Sequence, residues 1–143
     1  MTEELRVPVS DADWVAYHAI RRHVLFELRG QGFAYDANHP DEHQPAHHPM
    51  LLWIGNVPVG AIRIDVHGAE AIFRRVAIRA DLQRRGYGRR LLELAEGFAR
   101  GQGCVRVESH VDPGAIGFYY RCGYVLIDPK DRASSPRMAK KLT

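Results

Sequence analysis

The sequence is short of cysteine and of long apolar runs, and both shortages exclude classes of protein. Its 143 residues include two cysteines, Cys104 and Cys122, which cannot form a disulfide framework or a C-x-x-C motif. We expect both thiols to be small apolar core residues. No apolar run approaches the ~20 residues of a membrane-spanning helix, and residues 1–9 lack the apolar segment of a signal peptide. The chain is therefore predicted to be a single cytoplasmic domain over residues 1–143, with no membrane partner.

Lysine is also scarce, because 17 of the 20 basic residues are arginine. Seven of these arginines lie between Arg74 and Arg90, where Asp81 is the single acid, although the net charge of the chain is only +3. A local cluster of this kind favours a compact anionic ligand over a long nucleic-acid track. A nucleic-acid-binding protein is the weaker alternative, since the sequence contains no recognised nucleic-acid module. We therefore expect no nucleic-acid partner.

The hydrophobic periodicity predicts a mixed α/β domain. Alternating or continuous apolar residues predict strands at 5–9, 50–54, 59–66, 71–78, 105–111, 124–128 and 138–142. Helical spacing predicts three helices, one from Trp14 to about residue 30, one over 86–99, and one from Asp112-Pro113 to Gly123. Residues 33–49 are rich in His, Asp and Pro, and they are predicted to form a flexible loop on the substrate side.

Residues 75–92 carry the clearest chemistry in the sequence. A predicted strand ends at Ile78, and a loop containing Gly86 and Gly88 leads into an amphipathic helix. The N-terminus of a helix offers unpaired N–H groups and about half a positive charge. Glycine lets a ligand approach the backbone closely, and arginine adds bidentate contacts to phosphate. The segment therefore predicts a site for an anion the size of a pyrophosphate.

Two common nucleotide-binding motifs are excluded by their own residues. The Gly-Lys-Ser/Thr of a P-loop is absent, and Leu91 stands where the dinucleotide fingerprint needs its third glycine. What remains is Gln83-x-x-Gly86-x-Gly88, and here the sequence resembles the GNAT superfamily of acyl-CoA-dependent N-acyltransferases. The resemblance implies the GNAT fold, a central mixed sheet flanked by helices, with acetyl-CoA or coenzyme A as the cosubstrate.

The same resemblance assigns the residues that bind the cosubstrate. It implies that the strand before the motif pairs its backbone with the pantetheine arm, and that the loop and helix start hold the phosphates. The strand residues are Val76, Ala77 and Ile78. The loop and helix residues are Arg84, Arg85, Gly86, Tyr87, Gly88 and Arg89.

A second segment, residues 115–124, resembles the family pattern Ala-x-x-Phe-Tyr-x-x-x-Gly-Phe. The match places Tyr119 at the position of the family's catalytic tyrosine, which would protonate the leaving thiolate. Asp112 stands where the family often has asparagine, and it either contacts the cosubstrate or only caps the next helix. The resemblance is close over residues 59–128, whereas the N-terminal third resembles the ElaA-type branch only faintly.

The group that deprotonates the attacking amine is left open by the sequence. Glu108, His110 and Glu70 are candidates for a base, with Glu108 taken forward, and a relay through water is an equal alternative. The predicted function is N-acetyltransferase, which moves an acetyl group to a primary amine of a small molecule or peptide by direct attack. The alternative is a module that binds acyl-CoA without turnover.

The acceptor substrate is the least constrained part of the prediction. Acidic residues within 33–49 would suit a cationic amine. The histidines at 39, 43, 47 and 48 match the spacing of no closed metal site, so no metal is expected there. The chain is predicted to be a monomer or a homodimer.

Overall fold

Seven strands form one mixed sheet in the computed structural model, which describes residues 2–143. The strands are β1 (Glu3–Arg6), β2 (His47–Ile54), β3 (Val57–His67), β4 (Glu70–Ile78), β5 (Arg106–His110), β6 (Val125–Leu126) and β7 (Arg137–Lys141), in the spatial order β1-β2-β3-β4-β5-β7-β6. Neighbouring strands are antiparallel, except that β4 and β5 are parallel. The helices are α1 (Asp11–Leu25), α2 (Tyr87–Gly101) and α3 (Ile116–Arg121). The predicted mixed α/β architecture is confirmed.

Helices α1 and α2 cover opposite faces of the sheet. Successive side chains of a strand point to opposite faces, so Ala61 and Ile62 of β3 belong to different layers. Ala61 lies in the cluster under α1, together with Tyr17 and Ile20 of that helix. Ile62 lies in the larger core, together with buried residues of α2 such as Leu91.

The central feature of the sheet is the separation of β4 from β5. The two strands pair from Glu70 and Arg106 as far as Phe73 and Ser109. Beyond that point the remainder of β4 continues alongside β3. The carboxyl ends of the parallel pair therefore diverge and leave an opening in the middle of the sheet.

A bulge in β4 lies at the start of this opening. Arg74 pairs with Arg63 and Ala77 pairs with Ala61, so two residues of β4 oppose a single residue of β3. The extra residue is accommodated by Arg75, whose φ of 55° lies in the left-handed region. A bulge bends its strand and increases the local twist, so it turns the end of β4 away from β5.

Several predicted boundaries are wrong for identifiable reasons. The first strand ends at Arg6 and does not reach residue 9, because Pro8 has no N–H and restricts the residue before it. The last three residues of the predicted loop over 33–49 belong to β2, which begins at His47. Pro49 is tolerated there because β1 pairs with β2 only from Leu51 onward, so that side of the strand is an edge.

The region after Asp112 also differs in detail from the prediction. Asp112 caps a 3₁₀ turn over Pro113–Ala115, and α3 itself begins at Ile116. The predicted strand at 124–128 is reduced to Val125–Leu126, while Tyr124 is buried in the core. In residues 2–143 no helix combines the length and apolar character needed to cross a membrane.

Candidate active site

A cavity of about 1110 Å³ occupies the opening between β4 and β5. Its wall follows β4 from Phe73 to Ile78 and the opposite chain from Ser109 to Asp112. Arg21 of α1 contributes to the wall on one face of the sheet, and Phe118 of α3 contributes on the other. The cavity is therefore a passage through the sheet that connects its two faces.

The open edge of β4 presents backbone groups to this passage. The Arg79 N–H donates to the Val59 carbonyl at 2.9 Å, on the side of β3. Backbone direction alternates along an antiparallel strand, so Val76 and Ile78 turn their N–H and C=O groups toward the cavity. The Gln83 side-chain amide donates to the Ile78 carbonyl at 3.1 Å from that side. The edge can therefore pair with an extended ligand in the way that another strand would.

The start of α2 is built to receive an anion. Its N-cap is Gly86, with φ 85°, which has no side chain to accept hydrogen bonds from the first turn. A Cβ at Gly86 would have no neighbour within 4 Å, whereas one at Gly88 would lie 3.1 Å from Phe118 Cζ. Gly86 therefore leaves space for a ligand, and Gly88 allows α2 to pack closely against α3. The exposed N–H groups carry the positive end of the helix dipole.

Most of the predicted cosubstrate residues lie together in the cavity wall. These are Val76, Ala77, Ile78, Arg84, Gly86, Gly88, Arg89 and Asp112. Arg85 and Tyr87 are outside the wall: Arg85 is exposed to solvent, and Tyr87 packs against the apolar core. The structure thus brings most of these residues together around one cavity, and their contact with the cosubstrate stays a prediction.

Backbone strain is concentrated in the same wall. Among residues 2–143, Arg75 and Arg84 are the non-glycine residues with positive φ, at 55° and 64°. The left-handed region costs an ordinary residue ~1–2 kcal/mol, and such strain persists mainly where function requires it. Both residues line the cavity, so the strain marks the site independently of the sequence motif.

Tyr119 lies on α3 with its side chain in the cavity wall and is only 6% exposed. Burial raises the pKa of its hydroxyl to about 12, although a hydrogen bond with Ser109 acts in the opposite direction. Its ring makes edge-to-face contacts with Phe118 and Tyr124, with centroids 5.5 and 5.3 Å apart. The hydroxyl therefore holds its proton at neutral pH.

Ser109 is a site residue that the sequence analysis did not single out. It is the last residue of β5 that pairs with β4, and its Oγ donates to the Phe73 carbonyl at 3.1 Å. It also faces Tyr119 and lines the cavity. A signal was present, because Ser109 is a polar residue on the buried, valine-rich face of its strand.

Glu108 lies outside the cavity wall. It accepts hydrogen bonds from Arg137 Nη2 at 2.9 Å and from Arg106 Nη1 at 3.2 Å. The hydrogen bonds with Arg137 hold the pKa of Glu108 below its usual value, against the opposing effect of burial. A carboxylate in two ion pairs is a weak base, so the geometry does not favour Glu108 in that role. Of the three predicted candidates, His110 is the one that lines the cavity, while Glu70 is held by Arg106 at 2.6 Å.

Asp112 caps the turn that follows it and also lies in the cavity wall. Its Oδ1 accepts from the Gly114 N–H at 2.9 Å and so caps the 3₁₀ turn. Its Oδ2 lies 3.2 Å from Arg29 Nη2, and the residue forms part of the cavity wall. Capping therefore does not remove Asp112 from the site.

The predicted flexible loop is anchored where it lines the cavity. Glu42, which is 3% exposed, accepts hydrogen bonds from Tyr17 Oη and from Arg21 Nη1, each at 2.6 Å. Burial would raise the pKa of Glu42, but Arg21 and the hydrogen bonds lower it further, so the net shift is downward. This buried pair fixes the 3₁₀ turn at Pro40–His43 against α1.

A second polar cluster lies where β3 and β4 pair. Asp65, which is 1% exposed, accepts from Arg63 Nε and Nη2 at 2.8 and 2.9 Å, and from Arg74 Nε at 3.0 Å. The possible ligand atoms of His47, Asp65 and His67 lie within 4.8 Å of one another. Both carboxylate oxygens already accept from arginine, however, so we propose no metal site there.

Comparison with known proteins agrees with this geometry. The model of the Acetyltransferase (GNAT) family matches residues 13–124. An N-acetyltransferase from Lactobacillus plantarum superposes with a TM-score of 0.81 at 27% identity, covering 100% of both chains. ElaA from Escherichia coli superposes with a TM-score of 0.80 at 16% identity, covering 97% of this chain and 98% of its own.

A third structure bears on the cosubstrate. The PaiA N-acetyltransferase from Thermoplasma acidophilum, solved in complex with coenzyme A, superposes with a TM-score of 0.75 at 18% identity, covering 99% of each chain. Together with the family match, this complex agrees with the cosubstrate predicted from the sequence. The chain belongs to the acetyltransferase (GNAT) family.

Proposed function

We propose that this protein transfers an acetyl group from acetyl-CoA to a primary amine by direct attack within the passage between β4 and β5. One observation carries the proposal: an uncapped helix start, an open strand edge and a buried tyrosine share one cavity. These are the N-terminus of α2 at Gly86, the edge formed by Val76 and Ile78, and Tyr119. Each provides one of the functions that the reaction needs.

The first two features support binding of the cosubstrate. The N–H groups at the start of α2, with Arg84 and Arg89 beside them, would hold the phosphates through charge-assisted hydrogen bonds. The edge at Val76 and Ile78 would pair with the amide groups of the pantetheine arm. The bound cosubstrate supplies an activated acetyl group, and the role of the protein is to orient it.

The third feature supports the chemistry. Tyr119 would give its proton to the departing sulfur as the amine nitrogen bonds to the carbonyl carbon and the carbon–sulfur bond breaks. Proton transfer of this kind contributes ~10²–10⁴-fold. The amine proton would leave through His110 or through water, since His110 is the candidate base in the cavity wall. The backbone N–H of Val76 would stabilise the negative charge on the carbonyl oxygen.

The proposal is tested by two measurements on the same preparation. Acetyl-CoA at 100-fold above its Kd should raise the melting temperature by about 5 °C or more, because ligand binding then adds ~2.7 kcal/mol. Release of free thiol should accelerate when an amine panel is added to saturating acetyl-CoA. Stabilisation without thiol release for any amine would favour the alternative, a non-catalytic acyl-CoA-binding module. Absence of stabilisation would contradict both.

A further inference from the structure

At the mouth of the cavity on the α1 face, the positive charges of the arginines outnumber the negative charges of the carboxylates. Arg63 and Arg74 share the single carboxylate of Asp65. Arg75 forms no ion pair within residues 2–143, and its guanidinium carbon lies 5.2 Å from the centre of the Phe26 ring. Arg63, Arg74 and Arg75 all line the cavity. Three positive charges therefore meet one buried negative charge at this mouth.

The other charged groups around this mouth do not remove the surplus. Arg21 is balanced by Glu42, and Arg29 is balanced by Asp112. The Nε of Arg21 is buried and has no hydrogen-bond partner among the described residues. Donors on this side therefore exceed the acceptors that the chain itself provides.

The two remaining carboxylates of the wall lie at its rim. Asp36 is exposed and accepts from the Asn38 N–H at 2.8 Å, and Asp41 is half-exposed with an oxygen 3.9 Å from Arg63 Nη2. Solvent screens such charges more strongly than buried ones. Arg75 is itself exposed as a residue, and the partial burial of its guanidinium, together with the nearby charges of Arg21 and Arg63, lowers its pKa. The direction of that shift agrees with a positive potential at the mouth.

The position of these arginines along β4 limits the size of the ligand. Arg74 and Arg75 directly precede Val76, whose backbone faces the passage, and a strand advances ~3.3 Å per residue. An anionic group held by either guanidinium would therefore lie in the same cavity as the edge at Val76, where the acetyl group is proposed to bind. The guanidinium fork matches the geometry of a carboxylate.

We propose that the acceptor amine carries its own carboxylate, as a free amino acid does, and that Arg74 and Arg75 bind that carboxylate at the cavity mouth. This inference rests on the proposed acetyltransferase function. It replaces the cationic acceptor expected from the acidic residues of the loop. Glu42 is already paired with Arg21, and Asp41 lies at the rim beside Arg63.

The test compares substrates that differ in the carboxylate alone. Thiol release from acetyl-CoA would be measured with a panel of free amino acids, their carboxamides and the corresponding decarboxylated amines. We expect at least one amino acid to have a kcat/KM about 10–100-fold above that of its carboxamide, the loss expected for a charge-assisted contact. The neutral carboxamide lowers the pKa of the adjacent amine and so favours attack, which makes this preference a strict test.

Variants at the two arginines separate binding of the carboxylate from the chemistry. Arg74→Gln and Arg75→Gln should raise KM for the amino acid about 10-fold or more, with kcat and KM for acetyl-CoA little changed. Arg75→Glu should reverse the preference toward decarboxylated amines. Arg132→Gln, at an exposed position whose Nη1 contacts only nearby carbonyl groups, is the matched control. Melting curves identify any variant that fails to fold.

The outcomes separate this inference from the function on which it rests. Equal or faster turnover of the carboxamides and amines would overturn the carboxylate site while leaving the acetyltransferase intact. An amino-acid preference that survives in Arg74→Gln and Arg75→Gln would overturn the assignment of these two residues. Acetyl-CoA binding without turnover of any amine would overturn the proposed function, and the inference with it.

Discussion

The two long helices begin in opposite ways, although each has 15 residues. At the start of α1, Ser10 Oγ accepts from the Asp13 N–H at 3.1 Å, and Asp13 accepts in return from the Ser10 and Val9 N–H groups. At the start of α2, Gly86 offers no side chain, and Arg89 stands at the position equivalent to Asp13. One helix has a side-chain cap, and the other leaves the N–H groups of its first turn without one.

The difference agrees with a stabilising role for the start of α1 and with the proposed binding of phosphate at the start of α2. An N-cap of the Ser10 type contributes ~1 kcal/mol, and an acid in the first turn adds a further favourable contribution. Helix α2 forgoes both and places positive side chains around its N-terminus. The chain therefore gives up local stability at the site where the phosphates of the cosubstrate are proposed to bind.

The largest expected effect is a loss of kcat when Tyr119, which shares the cavity with the start of α2, is replaced. Tyr119→Phe should lower kcat ~10²–10⁴-fold with little change in the Kd of acetyl-CoA, because the proposed role of the hydroxyl is to donate a proton and not to bind the phosphates. Because the pKa of Tyr119 is raised to about 12, activity of the unaltered protein should show no loss of this acid up to about pH 10. Steady-state rates at saturating acetyl-CoA provide the measurement.

The control for Tyr119→Phe is Tyr120→Phe, on the same helix, where the side chain is exposed and lies outside the cavity wall. This variant should keep the kcat of the unaltered protein. Retention of full kcat by Tyr119→Phe would exclude Tyr119 as the general acid.

The next effect concerns the buried ion pair between Glu42 and Arg21. Glu42→Gln should lower the free energy of unfolding by ~3–5 kcal/mol, because it leaves Arg21 as a buried charge without a counterion. The folded-state pKa of Glu42 is lowered, so its contribution to stability is present above its unfolded pKa of ~4.3 and is lost progressively as the pH falls from there through the lower folded-state pKa. Denaturant titrations at pH 7 and at about pH 3 would measure both effects.

Glu27→Gln is the matched control for this substitution, since Glu27 is half-exposed and its partner is His23. Its effect on unfolding should be below about 0.5 kcal/mol. An equal effect from the two substitutions would mean that the buried pair with Arg21 does not fix the turn at Pro40–His43 to α1.

Converting the start of α2 to resemble that of α1 should weaken the binding of acetyl-CoA but leave the protein folded. Arg89→Glu places an acid where α1 has Asp13, so it repels phosphate and should weaken acetyl-CoA binding about 100-fold. Stability should change little, because the gain from the helix dipole offsets repulsion with Glu93 one turn later. Isothermal titration and a melting curve on the same sample test the two expectations.

Arg85→Glu tests a difference between the sequence and the structure. The sequence motif assigns Arg85 to the cosubstrate, whereas the structure leaves it outside the cavity wall. Arg85 is exposed and lies outside the cavity wall, so the affinity for acetyl-CoA should fall by less than about threefold, since salt screens exposed charges. Equal losses for Arg85→Glu and Arg89→Glu would indicate general electrostatic attraction rather than a specific site at the α2 N-terminus.

The smallest effect comes from opening the cap of α1. Ser10→Ala should destabilise the protein by ~1 kcal/mol, since the side chain that accepts from Asp13 is removed. KM for acetyl-CoA should not change, because Ser10 is remote from the cavity wall. A loss of acetyl-CoA affinity in this variant would contradict the proposal that the cosubstrate binds at the start of α2 and not at the start of α1.

The sequence was informative wherever a feature depends on consecutive residues. The strand, loop and helix around Gln83-x-x-Gly86-x-Gly88 lie within one segment, and Tyr119 lies within another. The mixed fold and the family were therefore predicted correctly, while the roles of the site residues stay predictions. The cytoplasmic location and the oligomeric state stay predictions.

Features that depend on pairing between distant segments were not predicted. Glu42 meets Tyr17 and Arg21 across more than 20 residues of chain. The bulge at Arg75 arises from the register of β4 against β3, and no local signal marks a non-glycine residue with positive φ. Glu108 was a candidate base because it lies on the strand before Asp112, but its ion pair with Arg137 joins two strands that are distant in sequence.

The start of α2 is proposed to receive the phosphates of coenzyme A, and the start of α1 is not. The most direct measurement is a titration of ¹⁵N-labelled protein with coenzyme A, observed through the backbone amide resonances. We expect the largest shifts at residues 86–89 and no significant change at residues 11–13. Binding of coenzyme A without shifts at residues 86–89 would contradict the account.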